Sequence, residues 1–327
     1  MQKCERSTME QLLATMSSQK YHPIEDKFTF TIHEEIHNVF KRLSGPILEA
    51  IISFKPDVDI ELFNTNVTSF ARWMSHVVTS DIVRSKNWKE KMHWIRNQGP
   101  HSTCWAIAAV ELISALRFIL GYDTEYTDYS AQFLVDFVNV KRGERKCAET
   151  NGNHYCFDYT IAKALEFVVH AGIPEAKDWV YVGCRAPNGP PNYRPQNIPR
   201  FYIKSVTKIS SIHEALPYLQ FHPIGAALAF FEPDYYLIKD GVYRGPVYIE
   251  SVYKGFHYVN IYAIIEENGE TIALVKSSHG ERYGDGGYFK VSCDVLMIEV
   301  PWEGINAHTH YRQPMRLLSR FSFPTFA

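Results

Sequence analysis

Asn97-Gln98-Gly99-Pro100-His101-Ser102-Thr103-Cys104-Trp105 is the stretch on which the reading of this chain turns. From Cys104 to Leu120 the residues Ile107, Val110, Ile113, Leu116 and Leu120 recur at helical spacing, so Cys104 stands in the first turn of an amphipathic helix. Unpaired backbone N–H groups and the helix dipole at that end favour a thiolate, and a thiolate is the nucleophile that acyl transfer requires. Six residues earlier, Gln98 offers a side-chain amide from a glycine-containing loop. With the backbone N–H of Cys104 it forms a candidate donor pair for a developing oxyanion.

Working outward, the N-terminal side is helical in pattern. Ile32–Leu43 and Pro46–Phe54 carry helical apolar spacing, broken at Ser44-Gly45-Pro46, and Val67–Val83 reads as a further helix. Trp88–Gln98 is extended. After the Cys104 helix come helices at Ser130–Val138 and Tyr159–Ala171, the latter stopping at Gly172, and then an irregular proline-rich connection over 185–200. Beyond it the pattern changes to short strands: Phe201–Ile209, Ile224–Phe231, Val259–Glu266, Thr271–Ser277 and Gly287–Ser292. A helical half is followed by a β half, which is an α+β chain of about two lobes for 327 residues.

This order of segments resembles the papain family of cysteine peptidases. The 97–105 stretch is similar to the family's Asn-Gln-Gly followed by Ser-Cys-Trp, with Thr103 for the serine. Trp88-Lys89-Glu90-Lys91 resembles the opening of the mature enzymes. Tyr129 to Asp136 is similar to Leu-Ser-Glu-Gln-Glu-Leu-Val-Asp, Ala164-Leu165 to Gly172-Ile173 to the helix ending in Gly-Ile, and Gly241 to Pro246 to Gly-Val-Tyr-x-Gly-Pro. Gly255-Phe256-His257-Tyr258-Val259 stands where the family has Asn-His-Ala-Val, and Val275 to Gly280 where it has Lys-Asn-Ser-Trp-Gly. His257 lies about 150 residues after Cys104, the spacing of the family's base.

The resemblance implies a papain-like two-lobe fold over 86–327. A helical left lobe covers about 86–200 and a β-barrel-like right lobe about 201–310. Residues 1–85 form a helical N-terminal extension, retained or propeptide-like. It implies a thiol peptidase acting on a peptide or protein substrate, with Cys104 as nucleophile, His257 as base, Gln98 in the oxyanion hole and Ser277 in place of the asparagine that orients the histidine. A hydroxyl is shorter and less directional than an amide, which makes a catalytically impaired, peptide- or partner-binding chain the alternative reading. His279 replaces the tryptophan that shields this bond, so water access is expected to rise. Phe157, Tyr159, Phe256 and Tyr258 stand where the family has small or different residues and are expected to narrow the groove. His101 occupies the place of a family cysteine, leaving Cys156 without its usual partner, while Cys147 and Cys184 could pair by the same analogy.

Other function classes find little support. Lys and Arg number 34 against 36 Asp and Glu, a net charge of −2 with no basic run, so a nucleic-acid partner is not expected. Trp105–Leu120, the most apolar stretch, is interrupted by Glu111 and Arg117 and falls short of the ~20 residues of a span, so no membrane partner is expected. Leu12–Thr15 is too short for a secretory core. A cytoplasmic location is the default, although the resembled family is mostly vacuolar, lysosomal or secreted. Six cysteines in 327 residues are too sparse for a disulfide scaffold. His33-Glu34-Glu35-Ile36-His37 fits the zinc-peptidase pattern. Too little chain precedes it for the flanking sheet, and no third histidine follows closely, so a charged helix surface is the better reading. No metal and no cofactor are expected. Aromatic residues reach 14%, a content suited to a core or a peptide-binding cleft.

Overall fold

The computed structural model describes residues 60–64, 69–74, 86–138, 156–184, 191, 194–248, 251–300 and 315–326. The zinc-peptidase-like segment at 33–37, the helices expected over 32–54, and Cys147 lie outside them. The described elements, in order, are β1 (Ile60–Asn64), β2 (Ser69–Met74), α1 (Cys104–Ile119), α2 (Ala131–Phe137), α3 (Ile161–Ala171), β3 (Ser205–Ile209), the single turn α4 (Ile212–Ala215), β4 (Ile224–Glu232), the single turn α5 (Asp234–Leu237), β5 (Val242–Tyr243), β6 (Val252–Glu267), β7 (Glu270–Lys276), β8 (Tyr288–Ser292), β9 (Val295–Val300), β10 (Met315–Arg316) and β11 (Leu318–Thr325).

The helical half forms as its local signals dictate. Every side chain of α1 from Cys104 to Leu116 is buried, Glu111 and Ser114 included, so this is the central helix. Ser130 caps α2 by accepting the Phe133 N–H at 3.0 Å, and Thr160 caps α3 by accepting that of Lys163 at 3.2 Å. The β half is a seven-stranded sheet in the order β3-β11-β4-β6-β7-β8-β5, antiparallel except for β5 on β8. Among the described residues no pairing joins β3 to β5, so the expected barrel-like lobe is an open sheet here. The helices pack on it through Gly225 of β4, where a side chain would come within 2.8 Å of Leu112 of α1 and Ile161 of α3. Among the described residues no helix is long and apolar enough to cross a membrane.

Two expectations change. The helix read over Val67–Val83 is, in its described part, the strand β2. It pairs with β1 from Asn64↔Ser69 to Ile60↔Trp73, and with β9 from Ser69↔Val300 to Met74↔Val295. A strand partner more than 200 residues away decides between helix and strand. The β half also runs past residue 310: β11 inserts between β3 and β4. Pro324 sits opposite Val206 of β3, beyond the last β4 pair at Ser322↔Gly225, where its missing N–H costs no bond to β4.

The halves are joined by a buried ion pair. Lys276 Nζ lies 2.9 Å from Glu111 Oε1, with the side chains 1% and 2% exposed, and donates also to the Met92 carbonyl at 2.5 Å. Asn260 of β6 donates to Glu111 Oε2 at 3.0 Å and to the Ala108 carbonyl at 3.2 Å. Both carboxylate oxygens of the buried Glu111 are thereby answered from the sheet, as burial requires.

Candidate active site

Cys104 opens α1 behind a helix end that lacks a side-chain cap. Thr103 turns its hydroxyl away, to the Tyr181 hydroxyl at 2.7 Å, and makes no capping bond. The first-turn N–H groups of Cys104 and Trp105 are therefore directed to the Cys104 sulfur, which also accepts from the backbone N–H of Tyr258. That last bond brings the Cys104 sulfur of one half against the residue next to His257 on β6. Burial nevertheless dominates: Cys104 is 9% exposed, and its thiol is pushed up to about 11 despite these donors.

His257 and Ser277 meet through strand register. Asn260 of β6 stands opposite Lys276 of β7, so Ser277 falls one step beyond, on the face that His257 shares by the two-residue period. Ser277 Oγ lies 3.0 Å from His257 Nε2. The same hydroxyl is held by the Tyr235 hydroxyl at 2.6 Å and accepts the His279 N–H at 3.3 Å. A short side chain is thus fixed from three sides. Tyr235 is fully buried on α5, and burial raises its pKa well above the ordinary value, so it stays a neutral phenol. Neither Tyr235 nor Tyr181 was singled out from the sequence. Tyr235 lies 42 residues from Ser277 with no local pattern to mark it.

His279 does not open the site to water. Its ring stacks on His257 at 4.1 Å between centroids and 16° between planes, and Phe230, Tyr235, Tyr236 and Tyr283 surround it. His257 is 4% exposed and Ser277 1%, which corrects the expected rise in water access: an imidazole is flat and shields as an indole does. Burial lowers the His257 pKa well below 6.5, and the neighbouring His279 lowers it further. Burial takes His279 itself down to about 4. Both rings are neutral at neutral pH, as is the thiol.

Gln98 reaches the site through the short bridge Asn97↔His279. Its backbone N–H donates to the Ser278 carbonyl at 2.7 Å, its Oε1 accepts from the Ser278 hydroxyl at 2.7 Å, and its Nε2 donates to the His101 carbonyl at 2.7 Å. The amide is rigidly oriented, with one N–H beyond these bonds. Of the aromatic residues expected to narrow the groove, Phe157 and Tyr258 are buried in the core. Phe157 packs at 5.3 Å from Trp105 and 5.7 Å from Tyr159, and Arg320 of β11 covers Phe256 at 4.4 Å. The cysteine expectation changes as well. Cys184 is bonded to Cys156, which removes it as a partner for Cys147 and supplies Cys156 with one. Cys104 and Cys293 are free thiols.

Known proteins resemble this chain in sequence and in fold. Protein HEAT-INDUCED TAS1 TARGET 1 of Arabidopsis thaliana is 29% identical over 249 residues, 68% of this chain and 87% of its own length. Protein HEAT-INDUCED TAS1 TARGET 4 of the same plant is 29% identical over 272 residues, 75% of this chain and 92% of its own. Mouse pro-cathepsin H is 27% identical over 219 residues, of which the match spans 59% of its length. The bromelain protease of Ananas comosus, solved in complex with the E64 inhibitor, superposes with a TM-score of 0.53 at 20% identity, over 76% of this chain and all of that one. Residues 82–302 match the family described as papain family cysteine protease, about two-thirds of the chain and every element of the site above. This chain belongs to the papain family.

Proposed function

We propose that the chain is a cysteine-type peptidase whose resting nucleophile is a neutral thiol beside a neutral imidazole. The observation that carries the reading is the joint placement of three groups: His257 fixed by Ser277 at 3.0 Å, the adjacent Tyr258 N–H on the Cys104 sulfur, and the uncapped end of α1 behind that sulfur. With a peptide bound, His257 takes the thiol proton as the sulfur attacks the carbonyl carbon. The new C–S bond places negative charge on the carbonyl oxygen, for which the Cys104 N–H and the remaining N–H of Gln98 are the donors. Collapse breaks the C–N bond, and His257 returns its proton to the leaving amine. Water, activated by the same imidazole, then hydrolyses the thioester and restores the thiol.

A second reading, a papain-like chain that binds peptides or partners without turnover, is favoured by the burial that keeps Cys104 and His257 uncharged. An irreversible epoxide inhibitor separates the two. Opening an epoxide requires a proton on its oxygen, which His257 supplies after taking it from the thiol. A peptidase is expected to carry the adduct on Cys104 alone, as mapped by mass spectrometry, and to lose it in His257→Ala. No adduct on Cys104 together with no peptide hydrolysis would overturn the peptidase reading in favour of the binding module.

A further inference from the structure

We propose that His101, Cys156 and Cys184 form a redox-gated zinc site ahead of α1, closed as a disulfide when oxidised and occupied by the metal when reduced. The proposal is independent of the peptidase reading. The ring nitrogen of His101 and the two sulfur atoms all lie within 4.8 Å of one another. A tetrahedral zinc with bonds of ~2.0–2.3 Å needs ligand separations of roughly 3.5–4 Å, so once reduction frees the two bonded sulfur atoms to move apart, they and the His101 ring nitrogen supply three corners and water takes the fourth.

Three features mark the cluster as built. Gly183 has φ +71°, and any side chain there would run into Cδ2 and Nε2 of His101, so only glycine lets the ring lie against this loop. The loop is held from below by Gln132, which donates to the Gly183 carbonyl at 3.0 Å and accepts the Val182 N–H at 2.8 Å. The Ser102 N–H donates to the Cys156 sulfur at 3.3 Å, an outer bond of the kind that stabilises a metal-bound thiolate. His101 and Cys184 are half-buried, which leaves the bridge open to a reductant.

The chemistry balances with a dithiol as the reductant. Two electrons and two protons pass from it to the Cys156–Cys184 bond, giving two thiols and a new disulfide on the reductant. Zinc then replaces the two thiol protons, which are released, and takes a lone pair from neutral His101. Because His101 stands three residues before Cys104, either closed state pins the loop that leads into α1.

The test uses the full chain, reduced with a dithiol, desalted without oxygen and titrated with zinc chloride. One zinc per chain is expected in the reduced protein and none in the oxidised one, with zinc slowing maleimide labelling of Cys156 and Cys184. Cobalt in place of zinc should give a sulfur-to-metal charge-transfer band. His101→Ala is expected to weaken binding at least ~10-fold. His101→Cys, which keeps a ligand, should bind with a stronger charge-transfer band and covers the case in which the alanine variant does not fold. The idea is overturned if the reduced chain takes up no zinc, if zinc protects Cys104 rather than Cys156 and Cys184, or if His101→Ala binds as the parent does.

Discussion

The most direct consequence of the site's burial is a slow-reacting Cys104 thiol. The Cys104 thiol stands at about 11 against an ordinary 9.0, which leaves about 100-fold less thiolate than a free cysteine and roughly one thiolate in 10⁴ at pH 7. The deficit is on the order of 3 kcal/mol, set by burial acting against the helix end and the Tyr258 N–H. Iodoacetamide reads this quantity, because it reacts with the thiolate and asks for no proton from a neighbour. Rates would be followed on the Cys104 peptide by mass spectrometry between about pH 6 and pH 10, in the intact chain and in His257→Ala. The expected rate rises about tenfold per pH unit, is about 100-fold below that of a small-molecule thiol, and changes little in His257→Ala. That insensitivity contrasts with the epoxide label, which needs the histidine's proton. A fast, pH-independent rate between about pH 6 and pH 8 that collapses in His257→Ala would falsify the account, because it would reveal a preformed thiolate–imidazolium pair.

Three further outcomes follow from the same geometry. Ser277→Ala should lower kcat/KM about fivefold, the ~1 kcal/mol of one orienting bond, and Tyr235→Phe should lower it less, since the hydroxyl keeps its bond to His257; equal losses would mean that Tyr235 is what orients the base. Lys276→Met should lower the unfolding free energy by ~3 kcal/mol in urea titration by leaving the buried Glu111 with the weaker Arg96 contact at 3.8 Å in place of its ion pair, and Glu111→Leu added to it should recover most of the loss; additive losses would contradict this. Stability should fall on acidification, because the buried imidazoles must take up protons on unfolding. For His279, with a folded value of about 4 against 6.5, the contribution is complete above about pH 6.5 and is lost as pH falls toward about 4, on the order of 3 kcal/mol in all. His257 and His222, both lowered by burial, act in the same direction. A urea midpoint that holds or rises between about pH 7 and pH 5 would refute it.

What could be read from the sequence is what is encoded locally or in short-range order. The Cys104 helix and its end are written in a single apolar period, and the β6–β7 hairpin brings His257 and Ser277 together with one turn at Asn268 and Gly269 between them. What escaped depends on contacts with no local sign. Lys276 and Glu111 look like two surface charges in the sequence, and only the closing of α1 on β7 buries them as a pair. The 69–74 segment carries apolar residues that fit either period until β9 arrives to pair with it. In β11 the spacing of Phe321 and Phe323, both buried, was a readable strand signal, masked by Pro324. The bridge between Cys156 and Cys184 joins segments 28 residues apart, a pairing that no spacing rule predicts.

The departures that make this site look weak in sequence compensate one another in space. A serine in the orienting position is too short to reach far and too free to aim. Tyr235 and the His279 N–H remove that freedom, so the His257–Ser277 bond forms at 3.0 Å with its geometry fixed by a third and a fourth group. Tyr235 can do this only if the space beside Ser277 is small, which it is because its ring stacks at 4.4 Å on Phe289 of β8. An asparagine placed at 277 would have to displace the Tyr235 hydroxyl. Restoring the family's residue alone is therefore expected to fail, and Ser277→Asn should gain activity only together with Tyr235→Phe, whose missing oxygen makes room for the amide. The two changes should show a coupling of at least ~0.5 kcal/mol in kcat/KM, as neighbours sharing one hydrogen bond do. Ser277→Asn that raises activity unaided would mean that the hydroxyl of Tyr235 was never part of the support.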